Sequence, residues 1–375
     1  MLLLIQKGRK FYQKSAAADK LKNGEKIMKK SFIVLGIALA SLFSLNAQSI
    51  SLTNTFGGNS DNVGTGDFLK FDKDGNKQDA VVGDRLQLDL ASENIDSRVR
   101  LNLVGPNWTP AGQAYVNFRP VTGLNFIGGN KFFWKWTTPG AYLAATDDYL
   151  THGKLADDNG AGIVYNHDGD AFGLTLAAAV GQASKLDLNF GAQLALKNLL
   201  TIGVTAQDVS EKTRSIGAYA AIQSVKNLIL NLGYTYNTSD ATYIAKTQHL
   251  IQASAGYTFS DAGLSLYADA ALGLNKKAFS TASDDFADLD DGIPVWGAVR
   301  ANYALNEKLD LNGWVHLNHI LNAADSRTDI TLYPYFDYKS SYGTFRSGVR
   351  VFFDDKDGYK GFNIPISWQY KIAAK

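Results

Sequence analysis

The sequence predicts an all-β chain: a transmembrane, antiparallel, up-and-down β-barrel of about 18 strands, with 16 as the alternative count. Three observations predict it. Apolar and polar residues alternate in one segment after another. An export signal precedes those segments. The acidic residues are almost all Asp, a turn residue, rather than Glu, a helix residue. Near the C-terminus, Phe362, Ile364, Ile366, Trp368, Tyr370 and Ile372 alternate with Asn363, Ser367, Gln369 and Lys371, with Pro365 as the exception. Strand side chains point to opposite faces with period two, so this strand has one greasy and one wet face.

The chain divides into three parts. Lys29 and Lys30 precede an apolar run from Phe32 to Leu45, and Leu45-Asn46-Ala47 ends it with a small residue. That pattern reads as a signal peptide over 28–47, with cleavage expected between Ala47 and Gln48. The apolar run is too short for a membrane helix, which needs about 20 residues. Residues 1–27 fit no signal, and Met28 stands directly before the charges, so 1–27 is expected to be leader read through from an upstream start. Residues 48–375 are expected to form a single barrel.

Composition narrows the classes. The whole chain has 37 Lys/Arg and 36 Asp/Glu, but residues 1–47 hold nine of the bases and two of the acids. The processed chain therefore carries 28 basic and 34 acidic residues, a net charge of −6. This balance points away from a nucleic-acid partner. Of the 34 acids 31 are Asp, the only Glu being Glu93, Glu211 and Glu307. Cysteine is absent, which excludes a disulfide framework and thiol chemistry. After residue 47 no stretch reads as a membrane helix; a barrel escapes such a search because only alternate residues meet lipid.

Short turns are expected at 92–96, 120–123, 166–170, 196–198, 224–227, 260–263, 305–308 and 339–343. Longer connections fall near 58–83, 104–112, 137–160, 181–185, 208–213, 237–247, 275–293, 318–327 and 354–360. Eight short and nine long connections give 18 strands, an even number with both termini on the short-turn side. Leu86, Leu88 and Leu90 oppose Arg85, Gln87 and Asp89. Leu309, Leu311, Val315 and Leu317 oppose Asp310, Asn312, His316 and Asn318. Aromatics sit on the apolar face just before short turns: Phe118, Tyr165, Tyr257 with Phe259, Tyr303, Phe336 with Tyr338, and Trp368 with Tyr370. Tyr and Trp favour a membrane interface because one end is apolar and the other can hydrogen-bond. Pro334 and Pro365 fall inside strands, where each removes a ladder donor, and a bulge or frayed edge is expected at each. The C-terminal strand must close the barrel against residues 49–56.

If the apolar faces meet lipid, the opposite faces line the interior. Between Phe172 and Leu272 the inward positions are small or neutral, among them Gly191, Gln193, Thr201, Gly203, Thr205, Gly233, Gln252 and Ser254. The remaining wall is charged: Arg85, Arg98, Arg100, Arg119, Lys131, Arg300, Arg346 and Arg350, with Asp89, Asp310, Asp329 and Asp337. The third long connection carries Asp147, Asp148, Asp157 and Asp158.

In this layout the chain resembles the general and substrate-specific porins of Gram-negative outer membranes. The resemblance is one of architecture over residues 48–375 and rests on no sequence motif. It implies an outer-membrane channel, not an enzyme, through which small hydrophilic solutes or ions diffuse passively. It also implies that the third loop folds into the barrel, so that Asp147 and Asp148 face Arg98, Arg100 and Arg119 across a constriction, setting a transverse field. Outer-membrane lipid and small solutes are then the partners. A homo-oligomer, a trimer in the porin manner, is expected through a lipid face of small residues near Ala177, Ala218, Ala220, Ala253, Ala255, Ala268 and Ala270. The chain departs from many barrels at its end, where Ala373-Ala374-Lys375 follows the last aromatics.

Two other readings stand beside this one: a surface adhesin or structural barrel with a closed lumen, and an outer-membrane hydrolase. No cofactor motif is present. His316 and His319 are three apart, which on a strand places them on opposite faces. Asp72-Lys73-Asp74-Gly75 and Asp355-Lys356-Asp357-Gly358 begin like calcium loops but lack the later ligands. The run Asp284, Asp285, Asp288, Asp290 and Asp291 is a candidate divalent-cation site.

Overall fold

The computed structural model describes residues 49–57, 69–78, 83–104, 111–130, 160–182, 186–207, 209–210, 215–237, 249–274, 293–321 and 328–374. Within them lie 22 strands. The first seven are β1 (Ser49–Gly57), β2 (Leu69–Asp72), β3 (Lys77–Gln78), β4 (Gly83–Ala91), β5 (Ile95–Val104), β6 (Ala111–Val121) and β7 (Leu124–Asn130). Then come β8 (Gly160–Asp168), β9 (Phe172–Gln182), β10 (Leu186–Leu196), β11 (Leu200–Gln207), β12 (Ser215–Ile222), β13 (Leu228–Asn237), β14 (His249–Phe259) and β15 (Leu264–Leu274). The last are β16 (Ile293–Ala304), β17 (Leu309–Leu321), β18 (Thr328–Ser340), β19 (Gly343–Gly348), β20 (Arg350–Asp354), β21 (Gly358–Ile364) and β22 (Ile366–Ala374).

Every stave pairs antiparallel with its neighbours in sequence, and β1 closes the sheet between β4 and β22. Counting β19 with β20 and β21 with β22 as one stave each, and setting aside β2 and β3, gives a closed barrel of 18 staves. Closure follows the expected pairing: Ile50 opposes Ala374 and Phe56 opposes Trp368. It removes the unpaired edges that a bilayer cannot hydrogen-bond.

The eight short turns lie where turn chemistry places them. Asn198 and Asn227 adopt φ of 60° and 63°, a left-handed conformation that Asn tolerates among L-residues. Gly123 turns at φ 83°, where a Cβ would come 2.3 Å from the Asn166 carbonyl oxygen, so only Gly fits this approach of two turns. The apolar row of each strand faces outward: Phe190, Ile202, Val204, Leu232, Ile251, Val299 and Val315 are all exposed. Phe118, Tyr165, Tyr257, Phe259, Tyr303, Tyr338 and Trp368 form the exposed aromatic girdle at the short-turn rim. Only a bilayer covers such a belt favourably, so the barrel is transmembrane. Ala177 departs from the expected lipid face of small residues. It opposes Gly191 on the inward row and packs with Val164 and Ala179.

Neither proline produces the bulge expected of it. Leu332 opposes Val351 and Tyr335 opposes Gly348 in one continuous register across Pro334. Val349 still donates to the Pro334 carbonyl at 3.0 Å. The missing N–H interrupts the ladder, which splits one stave into β19 and β20, but it does not shift the pairing. Pro365 likewise separates β21 from β22 without a shift, at the point where the neighbour on one side changes from β1 to β2. The register shifts lie elsewhere, between Phe118 and Val121 and between Phe352 and Phe353.

On the long-connection side β2 pairs with β21, and Phe71 stacks on Phe362 with centroids 5.0 Å apart. This sets the two Asp-Lys-Asp-Gly turns close together beyond the membrane. Neither carboxylate at their heads is arranged for a cation. Asp72 accepts from the Asp74 and Asn76 amides and from the Asn76 and Gln78 side chains. Asp354 accepts from the amides of Asp357 and Lys356 and from Lys360. The Asp357 amide and then Lys360 hold the Asp354 carboxyl below its ordinary value.

Candidate functional site

The inner surface is the candidate site, because period-two geometry turns every polar row inward. It has two unlike halves. From β9 to β15 most inward residues are small or neutral, with the buried Asp269 on β15 as an exception, and Thr201, Thr205, Asn231, Thr235 and Gln252 are buried there. Asn231 donates to Ser254 at 2.9 Å, and Gln193 donates to the Tyr219 hydroxyl. Glycine makes room for rings: a Cβ on Gly203 would meet the Tyr219 ring at 2.2 Å.

The other half runs without interruption from β16 through the closing seam to β6. Its first cluster sits on β4, β5 and β6. Arg98 Nε donates to Asp89 at 2.6 Å, and Gln87 donates to the same carboxylate at 2.7 Å. Arg100 directs Nε and Nη2 to the Gln87 amide oxygen, at 2.9 and 2.6 Å. Its partner is therefore a neutral amide, and its charge is not cancelled by that contact. Arg85 stands beyond it on β4, half-buried. Tyr115 backs the Arg98 guanidinium at 6.0 Å. Within this cluster Asp89 bonds Arg98, while Arg100 is bonded through a neutral amide, so the sector is rich in guanidinium groups.

Arg119 is placed differently from the other arginines. It lies at the short-turn rim, bonded to Asp96 and, at 3.0 Å, to the Ser92 carbonyl. Across the seam Gln369 donates to Thr55 at 3.1 Å.

The second cluster occupies β16 to β20. Arg346 grips Asp337 through two bonds, Nε to Oδ1 at 2.6 Å and Nη2 to Oδ2 at 3.0 Å, and lies 4.7 Å over the Tyr335 ring. Arg350 lies between Tyr333 and Trp314, at 4.8 and 5.6 Å. Tyr333 stacks on Tyr335 at 4.6 Å, and Trp314 meets Tyr333 edge-on at 5.4 Å. Trp296 and His316 extend the group, 4.9 Å apart. Rings and guanidiniums fix one another by stacking and cation–π attraction. Arg300 donates to Asn302 at 2.7 Å, and Asp310 pairs with Lys339 at 2.6 Å. Asp329 takes the inward place opposite Asn318 and Asp354.

Sequence reasoning named the charges on this wall and missed the rings. Trp296, Trp314, Tyr333 and Tyr335 share the period-two face of Arg300, Asp310 and Asp337, so parity alone would have found them. The residues expected at a constriction, Asp147, Asp148, Asp157 and Asp158, lie outside the described residues, as do Lys131 and the Asp284, Asp285, Asp288, Asp290 and Asp291 run. Among the described residues no group of three His or acidic side chains is placed to hold a metal ion. His316 faces inward, whereas His319 takes the opposite parity and bonds to Thr328 at 2.8 Å. Thr328 in turn donates to Asp355 at 3.1 Å. The imidazole thus donates to the hydroxyl instead of accepting its proton, the reverse of what activates a nucleophile.

No protein-family model matches the chain, and no curated protein matches it in sequence. Solved structures do match in fold. The chain is similar to Pseudomonas aeruginosa OpdL, with a TM-score of 0.60 and 10% identity over 88% of this chain and 99% of that one. It is similar to the outer membrane protein OprD of the same organism, at 0.57 and 10% over 88% and 96%. It is also similar to Pseudomonas aeruginosa OpdK solved with vanillate, at 0.54 and 10% over 87% and 98%. At this identity the likeness concerns the barrel fold.

Proposed function

We propose that the protein is an outer-membrane channel through which small hydrophilic solutes diffuse, with a preference for anions. The observation that carries this reading is the arrangement of charge inside the closed barrel. Arg98, bonded to Asp89, and Arg100, bonded to the neutral Gln87 amide oxygen, stand with Arg85 on one sector, and Arg350 is held by rings on the adjoining one. Fixed guanidiniums on a wall raise the local concentration of anions and lower their entry barrier. The fold shared with OprD and OpdL supports an outer-membrane setting, and vanillate, found with OpdK, is a small carboxylate. On this reading Asp147, Asp148, Asp157 and Asp158 oppose the basic sector and narrow the path, and the barrel works without a cofactor.

The test is electrical. The mature protein, refolded and inserted into a planar bilayer, is expected to give stepwise, ohmic conductance. Folded, heat-modifiable protein that gives no steps would reject the channel and favour the closed-lumen barrel.

A further inference from the structure

Two lysines of the closing seam take part in none of the contacts described above: Lys70 on β2 and Lys371 on β22. Strand register places both on the inward face, because directly opposed residues share a face. Lys70 opposes Asn363, which opposes Arg350. The next residue on β2 has the other parity, and Phe71 accordingly stacks on Phe362 of the outward row. Lys371 opposes Thr53, which opposes Gln87, the acceptor of Arg100.

The two lysines stand at opposite ends of the seam. β2 lies on the long-connection side, whereas Lys371 lies close to the end of β22 at Ala374, on the short-turn side. The strand from Asn363, level with Lys70, to Lys371 spans about 27 Å at roughly 3.4 Å per residue. The floor between them is neutral at Ser367, Gln369 and Thr55, with Arg346 opposite Ser367 on one flank and Arg85 opposite Thr55 on the other.

Both ammonium groups are exposed, and neither has a hydrogen-bond or ion-pair partner among the described residues. Other cations of the wall are held: Arg98 and Arg346 by carboxylates, Arg100 by an amide, Lys339 by Asp310. Carboxylates close by in register are engaged elsewhere. Asp72, on the inward face of β2, accepts from the Asp74 and Asn76 amides and from the Asn76 and Gln78 side chains. Asp89 accepts from Arg98 and Gln87. An ammonium on a flexible stem with no shared carboxylate is a point charge open to solution. At a mouth it raises the concentration of arriving anions, whereas held guanidiniums fix where an anion rests further in.

We propose, on the channel reading above, that Lys70 and Lys371 are the entrance charges of the anion path, one at each mouth, and that the closing seam is the lane between them. Each acts through its own solution, because the Debye length is about 10 Å at 0.1 M salt and about 3 Å at 1 M, shorter than the span that separates them.

Single channels of the full mature chain, with about 0.1 M KCl facing about 1 M and the gradient imposed in both directions on each channel, test this. The chain has no cysteine, so Lys70→Cys and Lys371→Cys each offer one thiol. Each variant should lose about twofold in chloride-over-potassium preference, the effect of one charge several ångströms from the path in a water-like dielectric, in one gradient direction only. Sulfonatoethyl methanethiosulfonate, which adds a negative charge, should deepen the loss; the trimethylammonioethyl reagent, which restores a positive one, should reverse it. Each thiol should react faster from the compartment that bathes its own mouth, and the loss should appear when that compartment is the dilute one. In the double variant, reagent in one compartment should change one direction and reagent in the other compartment the other. Heat-modifiable mobility on a gel checks that each variant is folded. No loss in either direction, an equal loss in both, or equal selectivity after the two reagents would each overturn the proposal and leave the channel reading standing. Folded protein without conductance would reject the channel reading and the proposal with it.

Discussion

The two halves of the inner wall are built on the same strand geometry and spend their inward positions in opposite ways. From β9 to β15 the rows are mostly Gly, Ala, Thr, Gln and Asn, with Tyr219, Tyr267 and Asp269 among them, and hydrogen bonds such as that from Asn231 to Ser254 join neutral groups. From β16 to β6 the rows carry Arg, Asp and large rings, and nearly every polar contact involves an ion, as between Arg346 and Asp337. The first half carries far fewer charges, with Asp269 its inward carboxylate among the described residues. The second is electrically structured, because Arg98, Arg100, Arg300, Arg346 and Arg350 are each held by a carboxylate, an amide or a ring. The lesson is that selectivity need not be spread around a barrel: one arc can set the field while the other provides space.

This contrast can be broken by substitution. The largest effect is expected at Tyr333, which is 2% exposed and stacked between Tyr335 and the Arg350 guanidinium. Tyr333→Ala should cost about 4 kcal/mol, the usual price of removing a buried ring, read as a lower urea midpoint for the refolded barrel. A second contrast separates inside from outside. Leu232 is 58% exposed on the lipid face of β13, and Leu232→Arg should destabilise by roughly 2–4 kcal/mol. On the neutral inner wall, Ser254→Ala removes one hydrogen bond and should cost about 1 kcal/mol in the same assay. If the two were equal, the assignment of faces would be wrong.

The smallest effect lies outside the membrane, in the turn after β20. The folded-state value of Asp354 is lowered, so its stabilisation is complete above the unfolded carboxyl value, about 3.9. It is lost as pH falls through the lower folded value. The protection of the Lys356 and Asp357 amides against exchange, relative to the unstructured rate, should fall below about pH 4, because their N–H groups bond to Asp354. In Asp354→Asn it should lose that dependence; an unchanged profile would show that the carboxylate does not order the turn.

Much of the fold was legible because a barrel is written in parity and turn chemistry. The outward rows, the short turns and the closing of residues 49–56 on the last strand follow from alternation and from Asn, Asp and Gly at fixed places. The prolines were harder. Removal of one N–H from Pro334 was foreseeable, but the register held because neighbouring pairs on both sides, Leu332 with Val351 and Tyr335 with Gly348, outweigh one lost bond. The charged half-wall was readable as a face. Its partners were not, because which carboxylate an arginine reaches depends on stagger between strands far apart in sequence. The rings at Trp296, Trp314, Tyr333 and Tyr335 were visible as aromatic residues but blend into the girdle unless their parity is tracked.

The account rests on the positive arc of the wall, and ion selectivity probes that arc most directly. With a tenfold KCl gradient across a planar bilayer, the wild-type channel should show a reversal potential of the sign that favours chloride. Arg98→Ala with Arg100→Ala should move it toward potassium, since Asp89 then loses both the Arg98 bond and the Arg100 charge beside it. A wild-type channel that prefers potassium, or a double variant with unchanged reversal potential, would contradict the account.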